Sequence, residues 1–158
     1  MIRVDSLDYK IIKALMANGR MTWAELAGVL GLSSPAAADR VRRLEEQGVI
    51  TGYTALIDAE SAGYGLAALI AVSLERPAHR QPFLDLIHKL PEIQECHHTA
   101  GDDDYILKVR CRGTRDLDRL ISEELKSLPG IVRTKTTIIL GTVKETPNIP
   151  LPPGDREP

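Results

Sequence analysis

Over the first third of the chain, apolar residues return every three or four positions. Beyond Leu66, stretches of that spacing alternate with short runs in which every residue, or every second residue, is apolar. The first pattern is that of helices and the second that of strands. Residues 5–18 carry Leu7, Ile11, Ile12 and Leu15 on one stripe, with Asp8 in the first turn, where an acid is favoured, and Gly19 at the end. Thr22 followed by Glu25 three residues on is a capping box, so a second helix starts at Trp23. Its Leu26, Val29 and Leu30 keep helical spacing, and Gly31 supplies the left-handed turn that ends it. Ser33 caps a third helix and Pro35 falls in its first turn, where a missing amide proton costs little. There Ala37, Val41 and Leu44 share one face, and Ala36, Arg40 and Arg43 share another. The first face packs, and the second is left free for a partner.

Val49 to Leu56 is β-branched and partly alternating, which predicts a strand leaving the helical unit, and residues 58–65, with two glycines, predict a linker. The strand Leu66–Leu74 comes next, then a helix Gln81–Leu90 with Phe83, Leu86, Ile87 and Leu90 inward. Strands Ile93–Thr99 and Tyr105–Cys111 follow. A helix capped by Thr114, with Leu117, Ile121, Leu125 and Leu128 at helical spacing, leads to the last strand, Val132–Leu140. The order is βαββαβ. Leu90-Pro91-Glu92-Ile93 and Leu128-Pro129-Gly130-Ile131 repeat one helix-to-strand corner, as two halves of a ferredoxin-like split βαβ fold would. In the first strand Ala67, Leu69 and Ala71 are apolar on the face opposite Ala68, Ile70, Val72 and Leu74. Helices on one side cover only one face, and the sheet of a second copy is the economical cover for the other. The proline-rich stretch from Glu145 onward has no periodicity and predicts an extended or flexible tail.

A length of 158 residues, 43% apolar and 27% charged, fits one ordinary domain or two small ones of a globular protein. The longest apolar run, Leu66 to Val72, is far short of the roughly 20 residues that span a bilayer. No charged-then-apolar leader opens the sequence, so the expected location is cytoplasmic, and Cys96 and Cys111 are expected as reduced thiols. The net charge of −2 is unevenly spread. Residues 1–53 hold seven Lys/Arg against six Asp/Glu, which is +1, and the remainder thirteen against sixteen, which is −3. Any nucleic-acid affinity therefore rests on a few placed arginines multiplied by oligomerisation, not on a general positive field.

A helix, a glycine turn and a helix with small residues at its start describe a helix-turn-helix, whose second helix enters the DNA major groove. Small side chains at Ser34, Ala36 and Ala37 let the backbone approach; Ser33, Pro35, Asp39, Arg40, Arg42 and Arg43 complete the candidate DNA-binding set, and the arginines can reach phosphates or guanine edges. A helical hairpin with a solvated charged face is the plainer alternative, since Asp39, Glu45 and Glu46 interleave with the arginines. Cys96, His97 and His98 beside three aspartates suggest a metal site. On a strand, however, Cys96 and His98 face one way and His97 the other, which is a thin ligand set, and no metal or other cofactor is expected. No glycine-rich phosphate loop and no nucleophile-base pair is present, so an enzyme is not expected.

Four pieces in order, LDYKIIKALMANGRMTWAELAGVLGLS, DRVRRLEEQGVITGYTALID, TAGDDDYILKV and TKTTIIL, make residues 5–143 resemble the leucine-responsive/asparagine-responsive (Lrp/AsnC, feast/famine) transcriptional regulators. The resemblance implies an α+β chain. A three-helix, winged-helix-like helix-turn-helix domain occupies residues 1–53 and a linker strand and hinge residues 54–65. A ferredoxin-like βαββαβ domain for effector binding and oligomerisation follows over 66–143, then a tail over 144–158. It also implies partners: double-stranded DNA, copies of the chain forming dimers and then tetramers or octamers, and an amino acid or related metabolite bound between dimers. The effector role falls on the segment from His98 to Tyr105, where Thr99, Ala100 and Asp102 surround Gly101, with Thr136 and Ile138 from the last strand. Gly101 would turn the chain and expose amides to a carboxylate, and Asp104, in the family's G-x-x-D-Y pattern, would meet an ammonium. The run Asp102 to Asp104 would suit a basic effector or merely be solvated turn residues. With Ala36 to Ala38 in the reading helix, base contacts fall to few side chains and selectivity to DNA bending. The alternative within this resemblance is an effector-independent architectural protein that wraps DNA.

Overall fold

In the N-terminal helices, each start is a place where a side chain replaces a missing acceptor. The computed structural model describes residues 4–151, which divide into two compact units: residues up to Leu56 together with those from Glu145 onward, and residues 57–144. Helix α1 (Ser6–Ala17) is capped by Asp5 in a capping box with Asp8, α2 (Trp23–Leu30) by Thr22 in one with Glu25, and α3 (Ser34–Glu46) by Ser33. Gly31 ends α2 at φ 67°, the left-handed turn expected of it. Ile11, Leu26, Ala27, Ala37, Val41 and Leu44 form the core of this unit, with Ile12, Leu15, Leu30, Val49 and Ile50 packed around it. Val29, in step with Leu26 by spacing, instead points outward and is 58% exposed.

Val49 to Leu56 is not a strand: a strand needs a partner to pair with, and among the described residues no strand pairs with this segment. The Val49 and Ile50 amides instead donate to the Leu44 carbonyl at the end of α3, 2.9 and 3.1 Å away. Asp58 to Gly65 is a turn and not an open linker. The Asp58 carboxylate accepts from the Ser61 amide at 2.7 Å, and the Tyr64 amide donates to the Ala59 carbonyl. Glu145 to Leu151 has no regular secondary structure and groups with the N-terminal unit; the rest of the expected tail lies outside the described residues.

The second unit is an antiparallel sheet in the order β2-β3-β1-β4, built from β1 (Leu66–Leu74), β2 (Ile93–His98), β3 (Tyr105–Cys111) and β4 (Ile131–Ile139). This is the expected split βαβ arrangement, with α4 (Arg80–Ile87) after β1 and α5 (Thr114–Arg119) after β3. Ile70, Val72, Leu107 and Val109 from the central strands meet Phe83 from α4 and Leu120 and Leu125 beyond α5, all fully buried. Two details differ from expectation. Thr114 is the first residue of α5 and not its cap, which is Gly113. The Asp116 carboxylate reaches back and accepts from the Arg112 amide ahead of the helix, and no side chain caps the first turn itself. After Arg119 the helix widens into a π-helical turn (Leu120–Leu125), with the Lys126 amide bonded to the Ile121 carbonyl, so Leu120 joins Leu117 and Leu125 in the core.

Candidate functional site

Helix α3 presents two polar faces, and one of them is already occupied. Arg40 Nη1 lies 2.9 Å from Asp5 Oδ2 and 2.9 Å from Asp8 Oδ1, and Arg43 Nη2 lies 2.8 Å from Asp8 Oδ1. Asp8 is fully buried, so the face holding Ala36, Arg40 and Arg43 is turned toward α1 and is not the free face that spacing suggested. A carboxylate taken out of water needs cations, and α3 supplies two. The stripe that remains outward is Pro35, Asp39, Arg42 and Glu46, at i, i+4, i+3, i+4 spacing. Arg42 and Asp39, 65% and 67% exposed, bond to each other. Ser33, Ser34, Pro35 and Ala36 form the start of the helix, with Ser33 accepting from the Ala36 amide.

In the second unit, the turn from His98 to Tyr105 is pinned to β1 and β4. The Asp104 amide donates to the Val72 carbonyl at 3.0 Å, and Asp104 Oδ2 accepts from the Leu74 amide at 2.7 Å. Asp103 is drawn in as well. Its Oδ1 accepts from Ser73 Oγ and from Arg133 Nη2, both at 2.8 Å, and these bonds, the serine's first, hold its carboxyl below the usual range. Of the three aspartates, Asp103 is paired with a cation and Asp104 is held by a backbone amide, while the Asp102 side chain is unengaged among the described residues. Thr99 closes the turn through its amide to the Asp104 carbonyl and its hydroxyl to the Asp103 carbonyl. His98 lies against Tyr105, ring centroids 5.0 Å apart, and Tyr105 lies against Phe83 at 4.8 Å.

Among the described residues the backbone amides of Ala100, Gly101, Asp102 and Asp103 have no acceptor within the chain. Gly101 is not in the left-handed region, and a Cβ added there would meet no atom within 4 Å. Thr136 and Ile138 lie apart from this turn. They sit opposite Ile70 and Ala68 on the edge strand, whereas the turn joins β1 at Val72. Ser73 and Arg133 were not singled out by sequence, because only strand register brings them to Asp103. Among the described residues, no group of three His, Cys, Asp or Glu is arranged to hold a metal, and Cys96 and Cys111 are unbridged.

Residues 4–51 match a winged helix-turn-helix DNA-binding family, and residues 67–149 match the Lrp/AsnC ligand binding domain. The chain belongs to the Lrp/AsnC family. Within it, the leucine-responsive regulatory protein of Haemophilus influenzae is 38% identical over 145 residues, covering 90% of this chain and 87% of that protein. The HTH-type transcriptional regulator FL11 of Pyrococcus horikoshii is 35% identical over 150 residues, covering 95% and 98%. Two solved Lrp/AsnC-like structures superpose closely. A Neisseria meningitidis transcriptional regulator in complex with L-Met has a TM-score of 0.90 at 30% identity, covering 94% of this chain and 97% of that one. The Mycobacterium tuberculosis feast or famine regulatory protein complexed with L-methionine has a TM-score of 0.86 at 34% identity, covering 93% and 99%.

Proposed function

We propose that the chain is a cytoplasmic transcriptional regulator that binds double-stranded DNA and whose DNA affinity or assembly responds to an amino acid. It acts by binding and not by catalysis. The observation that carries this reading is the match of both units, in order, to a DNA-binding and a ligand-binding family, with relatives crystallised with L-methionine. On this reading the start of α3, Ser33 to Ala36, approaches the DNA backbone, and Asp39 and Arg42 on the outward stripe face the groove. Arg40 and Arg43 hold α3 at its angle. The turn His98 to Tyr105 meets the effector, through its free amides and Asp104.

The working unit is a homodimer that builds into tetramers or octamers. Leu69 and Ile106, 38% and 36% exposed on the sheet face away from the helices, support this, since a chain seldom leaves such a face in water. In the assembly, Thr136 and Ile138 of one copy complete the effector site of another.

An effector-independent architectural protein is the second reading. One observation favours it: Arg42 is the one arginine of α3 not held by α1, and beside it stand Ala36 to Ala38, which leaves few side chains for base edges. Competition binding by fluorescence anisotropy near physiological salt separates the two. A regulator prefers the region upstream of its own gene to random DNA of equal length by a factor on the order of a thousand or more. Equal affinity for both supports the architectural reading.

A further inference from the structure

Along the outward stripe of α3, Arg42 stands between two acids of its own helix. Asp39, one turn before it, accepts from Arg42 Nη2 at Oδ1, and Glu46 Oε1, one turn after it, lies 4.0 Å from Nε. Positions i−3 and i+4 are neighbours of i on a helix surface, so spacing alone brings both acids to one guanidinium. The three side chains are 67%, 65% and 69% exposed in chain order, so the contact is made in water and not in a core. With Pro35 neutral, the stripe carries one cation against two anions, a net −1. Acids placed on the stripe that faces DNA lower the affinity for every duplex, and the gain that offsets this has to lie in what they do to Arg42. Nε is turned toward Glu46 and one Nη2 hydrogen is given to Asp39. That leaves a hydrogen on each nitrogen of the Nη1–Nη2 edge, the pair of donors that fits O6 and N7 of a guanine.

We propose that Asp39 is a positioning residue for DNA reading, which holds the Arg42 guanidinium with its Nη1–Nη2 edge turned outward so that α3 reads a guanine through Arg42. The proposal rests on the DNA-binding reading above and adds to it the base that is read and the side chain that aims the reader. A long, free arginine gives up several rotatable bonds when it is fixed on a base, and one already tied a turn away gives up fewer. The tie also yields when it must. An exposed ion pair within one helix contributes less than a bidentate arginine–guanine contact, so guanine can draw the guanidinium off Asp39. An A·T pair cannot, because adenine sets the N6 amino donor beside N7, and a guanidinium has donors only.

The test is fluorescence anisotropy of the full chain near physiological salt, for the wild type, Arg42→Ala and Asp39→Ala. The probes are the duplex that the wild type selects most tightly from a randomised pool, copies of it in which each G·C pair in turn is changed to A·T, and a duplex of random sequence. Both residues are exposed, so the variants keep their fold, which melting curves check. The expected result is one G·C pair whose replacement weakens the wild type by at least about fivefold and Arg42→Ala by less than about twofold. At that same pair Asp39→Ala loses most of the discrimination, while it binds the random duplex at least as tightly as the wild type does. If Asp39→Ala keeps the wild-type factor at that pair and tightens on every duplex alike, the acid acts only as a charge and the proposal is overturned. Loss at a different pair also overturns it, since Asp39 then touches a base itself, and so does an Arg42→Ala variant that loses discrimination nowhere. These three outcomes leave the regulator standing. A wild type that discriminates at no pair removes the sequence-specific reading and the proposal together.

Discussion

Asp8 of α1 and Arg43 of α3 are 35 positions apart in sequence and 2.8 Å apart in space, and the aspartate side chain that joins them is only 1% exposed. That one carboxylate accepts from two arginines of the helix that would meet DNA, while its other oxygen completes the capping box of its own helix. Orientation of α3 and capping of α1 thus share a residue.

Asp8→Ala is expected to destabilise the N-terminal unit strongly. Removing one member of a buried pair costs about 3–5 kcal/mol, and because Arg40 and Arg43 can still reach water the loss falls at the lower end. Arg42→Ala, on the outward stripe, should change stability by less than about 0.5 kcal/mol. It should still weaken DNA binding and lower the salt slope by about one. Urea melts and salt-dependent anisotropy measure the two. The reverse pattern would exchange the roles given to these residues.

Gly130 has φ 95°, and a Cβ built on it would fall 2.1 Å from the His79 ring. Its carbonyl also accepts from the Glu75 amide at 2.8 Å, so the glycine fixes the approach of the turn before α4 to the start of β4. Gly130→Ala should lower the melting temperature by several degrees, and Gly130→Ala/His79→Ala should recover part of the loss, leaving the 2.6 Å approach to the residue 79 Cβ and the cost of the left-handed backbone. No recovery would show that the ring clash is not what matters.

Asp116 is the clearest acid-sensitive group. The side-chain hydrogen bonds of Arg112, and next its backbone amide, hold the carboxyl at about 2 against an ordinary 3.8. A lowered folded-state value means that the stabilisation is complete above about pH 4 and is lost as pH falls through the interval from 3.8 to 2. Asp116→Asn should flatten that part of the stability profile. An unchanged acid limb would place the sensitivity elsewhere.

Leu69→Asp tests the covered sheet face. At micromolar concentration the wild type should sediment as a dimer or larger, and the variant as a smaller species with unchanged far-ultraviolet circular dichroism. A monomeric wild type would contradict the dimer.

The elements were legible because local signals agreed: the capping box at Thr22, the left-handed Gly31, and the repeated Leu-Pro-x-Ile corners. Asp8 also carried a readable signal, an acid lying in register with Ile11, Ile12 and Leu15, which says that it is buried and needs a cation. Read as a first-turn acid alone, it left Arg40 and Arg43 seemingly free. What sequence could not give was pairing across distance. Ser73, Asp103 and Arg133 meet only because of strand register, and Val49 to Leu56 has β-branched, partly alternating residues but no strand paired with it among the described residues.

The most direct test of the whole account is the affinity of the full chain for its own upstream DNA, measured by anisotropy near physiological salt with and without millimolar amino acids. The expected result is a specific complex whose affinity or stoichiometry changes with an amino acid. Binding that ignores all twenty amino acids and does not distinguish this DNA from random sequence would contradict it.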